Sequence, residues 1–408
     1  MTEPARDRSH RSLRVTVAMT HPVQYYSPWF RFIHANCPEI TLTVIYATVP
    51  TAEQQGVGFG VSFEWDTSPL DGYTYIQLRS SRPGDYLHSD RFLGLDVRGM
   101  GRAIRDSKPD AVVVPGWYSL TLVRALIACR IHSIPTIYRG DTQPAIARSR
   151  FGEIAWSVKT RAMLRFFQSF LTPGERNRSY LRHFGVPDST IFFAPHCVDN
   201  EFFAESAAPA RTPEGRVRLR RRFGIPADNF VVLFVGKLDH KKRPGDVIAA
   251  AARLGDDVTT VIVGSGPGES QYRLEADELG SHVIFTGFVN QTGLGELYGA
   301  ADVTVLPSAT ESETWGLVVN ESLAAGTPCV VSDHVGCGPD LVESGVSGEI
   351  FPAGDVAALA SALSRLREAK SRGHDFTVDC RRIVSGYSFS VAARGMLEAA
   401  RRVSGGFA

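Results

Sequence analysis

Two glutamates, Glu313 and Glu321, stand eight positions apart in the run Ser312-Glu313-Thr314-Trp315-Gly316-Leu317-Val318-Val319-Asn320-Glu321. The apolar segment Asp302–Leu306 ahead of them reads as a strand and Val318–Ala325 as a helix, so Glu313 falls on the loop and Glu321 inside the helix. That arrangement suits a ligand with both phosphate and hydroxyls. Free N–H groups at the helix start, Trp315, Gly316 and Leu317, can take an anion, and the carboxylates can accept from sugar hydroxyls. Two solvated acids would give the same pattern, so the pair alone decides nothing.

Cations occur at a matching place upstream. In VVLFVGKLDHKKRP, Val231 to Pro244, a buried strand ends at Gly236, and Lys237 and Lys242 follow in a short loop. Two ammonium groups at a strand's C-terminal edge can neutralise a diphosphate and stabilise it as a leaving group; a solvated basic turn would look alike. The next strand runs into Val263-Gly264-Ser265-Gly266-Pro267-Gly268-Glu269, a close-approach turn for a nucleotide's phosphates or sugar. It is a poor dinucleotide fingerprint, because Glu269 holds the place of the third glycine and the loop belongs to the second strand–helix unit of its half. VIFTGFV, Val283 to Val289, then offers backbone that can read the edge of a flat base, with Phe288 as a wall, although Phe288 serves equally well as core.

These loops need strands behind them. Short β-branched runs alternate with helical patterns: Leu13–Met19, Thr41–Tyr46, Ala111–Val114, Thr136–Tyr138, Phe170–Thr172 and Ile191–Ala194 in one half, then Phe230–Val235, Thr259–Val263, Val283–Thr286, Val303–Leu306 and Pro328–Ser332. The repeated alternation predicts an α/β chain of two parallel, doubly wound domains, 1–205 and 206–387, with a helix within 388–408 that can pack back on the first. Asn200 to Asp228, with three prolines and Arg211, Arg216, Arg218, Arg220, Arg221 and Arg222, reads as the linker, its arginines on a solvated helix face. Ligands of such sheets bind beyond the carboxyl ends of the strands, so the expected site is the cleft between the two domains.

Composition narrows the field further. At 408 residues and 43% hydrophobic content the chain can bury two cores, and a formal charge of +1 recruits no nucleic acid. No apolar run reaches spanning length and the Arg-rich start lacks a signal core, so a cytoplasmic protein is expected. The six scattered cysteines read as reduced, buried small hydrophobes, with no zinc-type Cys/His spacing and no metal expected.

Taken in order, G-K-L-x-x-x-K, V-G-S-G-P, F-T-G-F-V, E-x7-E with A-A-G-T-P, and E-S-G-x-S-G resemble the C-terminal half of family 4 glycosyltransferases, which have the GT-B fold of two Rossmann-like domains facing across a cleft. The resemblance covers about Phe230 to Leu359 and lies in the joint spacing. It implies that Lys237 and Lys242 bind the donor diphosphate, Glu313 contacts the donor sugar, and Glu321 holds the ribose hydroxyls. It further implies that Trp315 to Leu317 take the phosphates, that Gly264 lies by the nucleotide, and that Phe288 and Val289 lie where the base is read. Lysine at 237 keeps the charge of the family's usual arginine without its fork, and Trp315 replaces a commoner phenylalanine.

The N-terminal half lacks the family's usual glycine-rich loop. Its Thr20-His21-Pro22-Val23-Gln24-Tyr25 and the stretch Phe63 to Tyr73 are similar to a bacterial subset beginning T-H-P-x-Q-Y, which would turn His21, Gln24 and Tyr25 to the cleft. After the fourth strand, Asp141 is the candidate beside the reacting carbon with Arg139 orienting it, an Asx turn being the plain alternative. The basic, aromatic segment Phe151 to Leu171 fits an internal helix better than one lying peripherally on a membrane.

The resemblance thus implies retaining, metal-independent transfer of a sugar from a nucleoside diphosphate sugar, UDP-linked by expectation, to an acceptor hydroxyl, with no further cofactor. Lys242, Glu313, Asp141 and His21 are the expected catalytic group. A GT-B phosphorylase, a non-catalytic sugar-nucleotide-binding scaffold and a nicotinamide dehydrogenase are the rivals. Acceptor, transferred sugar and oligomeric state stay open at this stage.

Overall fold

The computed structural model describes residues 12–57, 59–80, 92–143, 150–310 and 313–405. Its first unit contains β1 (Leu13–Met19), α1 (Tyr26–Asn36), β2 (Ile40–Val49), α2 (Ala52–Gly56), β3 (Tyr75–Ser80), α3 (Met100–Asp106), β4 (Ala111–Val114) and α4 (Leu120–Ile131). It continues through β5 (Thr136–Arg139), α5 (Arg150–Leu164), β6 (Ser169–Thr172), α6 (Glu175–His183) and β7 (Ile191–Phe193). Two helices follow, α7 (Asn200–Arg211) and α8 (Pro213–Arg222).

The second unit runs β8 (Phe230–Val235), α9 (Pro244–Ala252), β9 (Val258–Val263), α10 (Glu269–Glu278), β10 (Val283–Gly287), α11 (Gln291–Ala300), β11 (Val303–Leu306), α12 (Leu317–Ala324) and β12 (Cys329–Ser332). It ends with α13 (Gly338–Leu341), β13 (Gly348–Phe351), α14 (Val356–Ser371) and α15 (Thr377–Ser385), before a last helix α16 (Phe389–Val403).

Seven strands order as β3-β2-β1-β4-β5-β6-β7 and six as β10-β9-β8-β11-β12-β13, all parallel. Parallel strands covered on both faces must be apolar throughout, and β4 and β8 are buried at every position. Strand order reverses between β1 and β4 and again between β8 and β11. At such a switch point adjacent loops diverge and leave a crevice, so the loops after β1, β8 and β11 are the natural ligand positions.

Both outer strands that the sequence reading omitted, β3 and β13, are sheet edges. The exposed β3 carries Gln77 and Arg79, and the short, mostly buried β13 begins Gly348-Glu349, so neither shows the apolar run that betrays an inner strand. The expected linker is instead helical and packed. Phe203, Ala207 and Ala210 of α7 are buried, and the helix lies along α11.

The arginine cluster is likewise only in part solvated. Arg220 is buried, donating to Asp302 at 2.8 Å and to the Ala227 and Asn229 carbonyls, while Arg216 and Lys370 pair with the same carboxylate. Asp302 in turn accepts from the Val231 N–H, so these charges pin α8 and α14 to the start of β8. Arg218, Arg221 and Arg222 are exposed, as expected of a solvated face.

Helix α16 closes the first unit. Its small stripe, Ala392, Ala393, Gly395, Ala399 and Ala400, lies against β6 and β7 and beside α1. A Cβ on Gly395 would stand 2.0 Å from the Phe193 carbonyl oxygen, so only glycine admits that approach. Cys129, Cys197, Cys329, Cys337 and Cys380 are buried, and Cys37 is half-buried.

Candidate active site

Lys237 and Lys242 follow β8, and Glu313 follows β11, the two strands flanking the second switch point. Asp239 organises the lysine loop by accepting from the Lys241 and Lys242 N–H groups, each at 3.0 Å. The Lys242 ammonium pairs with Glu313 Oε2, which also accepts from Ser308 Oγ at 2.8 Å. A cation after β8 and a carboxylate after β11 are thereby fixed to each other. Lys237 is placed differently: its ammonium lies 4.7 Å from the centre of the Phe59 ring, and burial pushes its pKa down.

Gly264 has φ +133°, and a Cβ there would meet the Gly236 carbonyl oxygen at 1.9 Å. Its glycine character thus serves close packing of the β9 turn on the lysine loop, as well as any approach by a ligand. Gly316, at φ +101°, caps α12 and would drive a Cβ into Leu306 and Val335. That turn delivers Leu317 to the helix start, where first-turn N–H groups have no intrahelical partner.

Glu321 is held on α12 by Tyr298, whose hydroxyl donates to Oε2 at 2.6 Å. Burial raises its pKa to about 7, with the Tyr298 bond opposing. Trp315 is buried beneath the loop, and its indole N–H donates to Asn320 Oδ1 at 2.8 Å. It acts as a floor, and only its backbone is available to an anion.

Across the cleft, Asp141 follows β5. Its carboxylate accepts from Thr314 Oγ1 at 2.8 Å, one residue beyond Glu313. Burial opposes its charge, yet His196 and Thr314 together hold the carboxyl below the usual range. His21 bonds Thr20 Oγ1 through Nδ1 at 2.9 Å, and burial lowers its pKa. His21, Tyr25, Arg139 and Asp141 line one cavity of about 490 Å³. Gln24 lies instead on a neighbouring cavity of about 280 Å³, which His21 and Tyr25 share.

Arg139 is committed elsewhere: its guanidinium donates to the Ala194 and Pro195 carbonyls at 2.8 and 3.3 Å and lies over the Trp29 ring. It braces the β5–β7 edge, and among the described contacts Asp141 is oriented by Thr314 and His196.

Two groups escaped the sequence reading. His196, just past β7, sits buried between the Tyr25 and Trp315 rings with Nε2 3.6 Å from Asp141. Its carbonyl accepts from Asn320 Nδ2 at 3.2 Å, linking the two units. Its position after a predicted strand was the available signal. The second is the placement of a strap, Phe59 to Thr67, which overlaps the Phe63 to Tyr73 motif stretch and crosses to the second unit. Ser265 Oγ donates to the Phe59 carbonyl at 2.6 Å, and Phe63 lies on Phe288, with ring centres 4.4 Å apart. Val289 packs at the margin of the second core.

With this geometry in place, the molecule was compared with known proteins. It superposes on Anabaena Alr3699/HepE in complex with UDP at a TM-score of 0.70, covering 95% of this chain and 98% of that one at 17% identity. The sucrose-phosphate synthase of Thermosynechococcus elongatus gives 0.71, covering 97% and 100%, again at 17% identity. The chain has the GT-B fold.

Residues 216–378 of this GT-B protein match the family described as Glycosyl transferases group 1. Curated relatives are the D-inositol 3-phosphate glycosyltransferases of Thermomonospora curvata, 39% identical over 172 residues, and Geodermatophilus obscurus, 34% identical over 247 residues. These matches cover 39% and 55% of this chain, and the chain spans only 39% and 52% of those relatives' length. Among the described residues, no helix is long and apolar enough to cross a membrane, and no group of His, Cys, Asp or Glu could hold a metal ion.

Proposed function

We propose that this chain is a retaining, metal-independent glycosyltransferase of family 4 that moves a sugar from a nucleoside diphosphate sugar, UDP-linked, to an acceptor hydroxyl. The observation that carries it is the meeting of the two halves at consecutive residues. Glu313 is tied to the donor-side Lys242, and Thr314 is tied to the acceptor-side Asp141. The GT-B fold, the matched family and the UDP held by a structural neighbour support the reading.

In the proposed reaction Lys237, Lys242 and the α12 N-terminus bind the diphosphate, and Glu321 accepts from the ribose. The bond from the anomeric carbon to the diphosphate oxygen breaks while positive charge at Lys242 offsets the departing anion. The acceptor oxygen bonds to the same face of that carbon, and its proton passes to the leaving phosphate oxygen. Glu313 positions the donor sugar; Asp141 and His21 border the acceptor hydroxyl. No separate protein base is required for the proton to balance.

The test is turnover of a panel of nucleoside diphosphate sugars, with product mass identifying the transferred group. Hydrolysis or transfer that disappears in Glu313→Ala supports the proposal. Absence of turnover by the parent chain with every sugar nucleotide would overturn it, and dependence on inorganic phosphate as acceptor would indicate a phosphorylase.

A further inference from the structure

The strap that reaches the donor side also forms one wall of the smaller cavity. It is anchored to the second unit beyond Phe63: Asn290 Nδ2 donates to the Glu64 carbonyl at 2.8 Å, and the Thr292 N–H donates to the Asp66 carboxylate at 2.9 Å. Thr67 Oγ1 donates to Gln291 at 3.2 Å. These bonds hold Trp65 between the two units, its ring 4.8 Å from that of Phe63.

The cavity behind Trp65 has a volume of about 280 Å³. Its lining includes the Gln24, Gln54 and Gln55 amides and the His21 ring and, among the described residues, no lysine, arginine or carboxylate. Burial favours the neutral form of His21. A phosphorylated or carboxylated group would find no countercharge here and would lose its hydration. The Gln24 amide offers a neutral hydroxyl both a donor and an acceptor, while Gln54 Oε1 is occupied by the Thr51 N–H at 2.9 Å. Gln55 Oε1 is buried without a donor among the described residues, so a turn of this amide toward the pocket on ligand binding would give it one. Trp65 lines the pocket with these amides, and an indole there suits the C–H face of a sugar ring. At about 30 Å³ per water, the space equals about nine waters, the bulk of one ring and too little for a lipid chain.

We infer that the pocket formed by Trp65, Gln24, Gln55 and His21 holds a neutral, hydroxyl-bearing ring of the acceptor, a pyranose or cyclitol without phosphate, stacked on Trp65. The inference rests on the glycosyl-transfer reading. His21, Val23 and Tyr25 border both this pocket and the cavity of Asp141, so a ring seated here lies next to the reacting position. The phosphate-bearing acceptor in the curated relatives' names would need a cation, and none lines this pocket among the described residues.

The experiment uses the full chain with UDP present and a panel of neutral methyl glycosides, each paired with its sugar phosphate, followed by saturation-transfer NMR and acceptor kinetics. Neutral rings are expected to bind at least tenfold more tightly than their phosphates. Trp65→Ala should raise the acceptor KM about tenfold while acceptor-free donor hydrolysis and UDP affinity stay within about twofold; Trp65→Phe should restore most of the loss. Gln55→Ala provides a second variant should Trp65→Ala fold poorly, with a rise in KM expected and no change in donor hydrolysis. Preference for the phosphorylated rings, or unchanged acceptor KM in both variants while the parent still hydrolyses donor, would overturn the inference. Loss of donor hydrolysis in the parent would instead overturn the transferase reading.

Discussion

Phe63 of the first unit lies on Phe288 of the second, ring centres 4.4 Å apart and planes inclined by 33°. The rings are in contact, and no planar base passes between them. Phe59 sets its edge against Phe288 at 5.4 Å and faces the Lys237 ammonium, so one short segment touches the proposed base wall and a proposed diphosphate cation together.

If a nucleotide base uses that face of Phe288, the Phe63 ring must rotate away. Aromatic pairs contribute about 0.5–1.5 kcal/mol beyond area burial, so Phe63→Ala is expected to tighten UDP binding by about two- to tenfold. Isothermal titration calorimetry measures it, and weaker binding would show that Phe63 supports the base instead.

Lys242 and Glu313 predict divergent kinetic signatures. Lys242→Ala removes charge from the departing diphosphate and is expected to lower kcat by about 10²–10³-fold. Glu313→Gln should also lower kcat while leaving UDP affinity within about threefold, because its assigned contact is to the sugar. Steady-state kinetics with UDP titration separates the two, and equal loss of UDP binding in Glu313→Gln would remove it from the sugar position.

Glu321 predicts a pH dependence. Its pKa of about 7 lies above the ordinary carboxyl value, so the folded chain holds this proton more tightly than the unfolded chain. The resulting stability is complete below the ordinary carboxyl pKa and is lost as pH rises through about 7. Binding of the ribose hydroxyls favours the carboxylate, so UDP-sugar affinity should rise by up to about tenfold from pH 6 to 8. Glu321→Gln should flatten both profiles; an unchanged slope would assign the titration to another group.

Trp315 predicts a purely structural loss. Its N–H satisfies Asn320 Oδ1, and Asn320 reaches the His196 carbonyl across the units. Trp315→Phe leaves that buried oxygen unpaired, at a cost of about 1–3 kcal/mol, lowering Tm with UDP affinity near that of the parent. Thermal unfolding with and without UDP measures both.

The inner strands β1, β4, β8 and β11 were legible because burial on both faces demands mostly apolar, β-branched runs, interrupted only by Arg14 and Thr16 in β1 and Thr304 in β11. The edges β3 and β13 were not: exposed β3 carries Gln77 and Arg79, and β13 is only four residues long and opens on Gly348 and Glu349. Arg220 illustrates a second blind spot: its type says solvent, and only the buried Asp302 reverses that reading.

The sequence by itself determined the two doubly wound sheets and the loops that carry Lys237, Lys242, Glu313 and Glu321, because local periodicity and strand ends set those positions along the chain. Tertiary structure alone decided which of these groups meet. Lys242 pairs with Glu313, Thr314 with Asp141, and the Phe59–Thr67 strap lies against Phe288 while its Trp65 lines the smaller cavity. Those contacts join residues far apart in the chain, and their formation depends on how the two sheets pack, which no local pattern encodes.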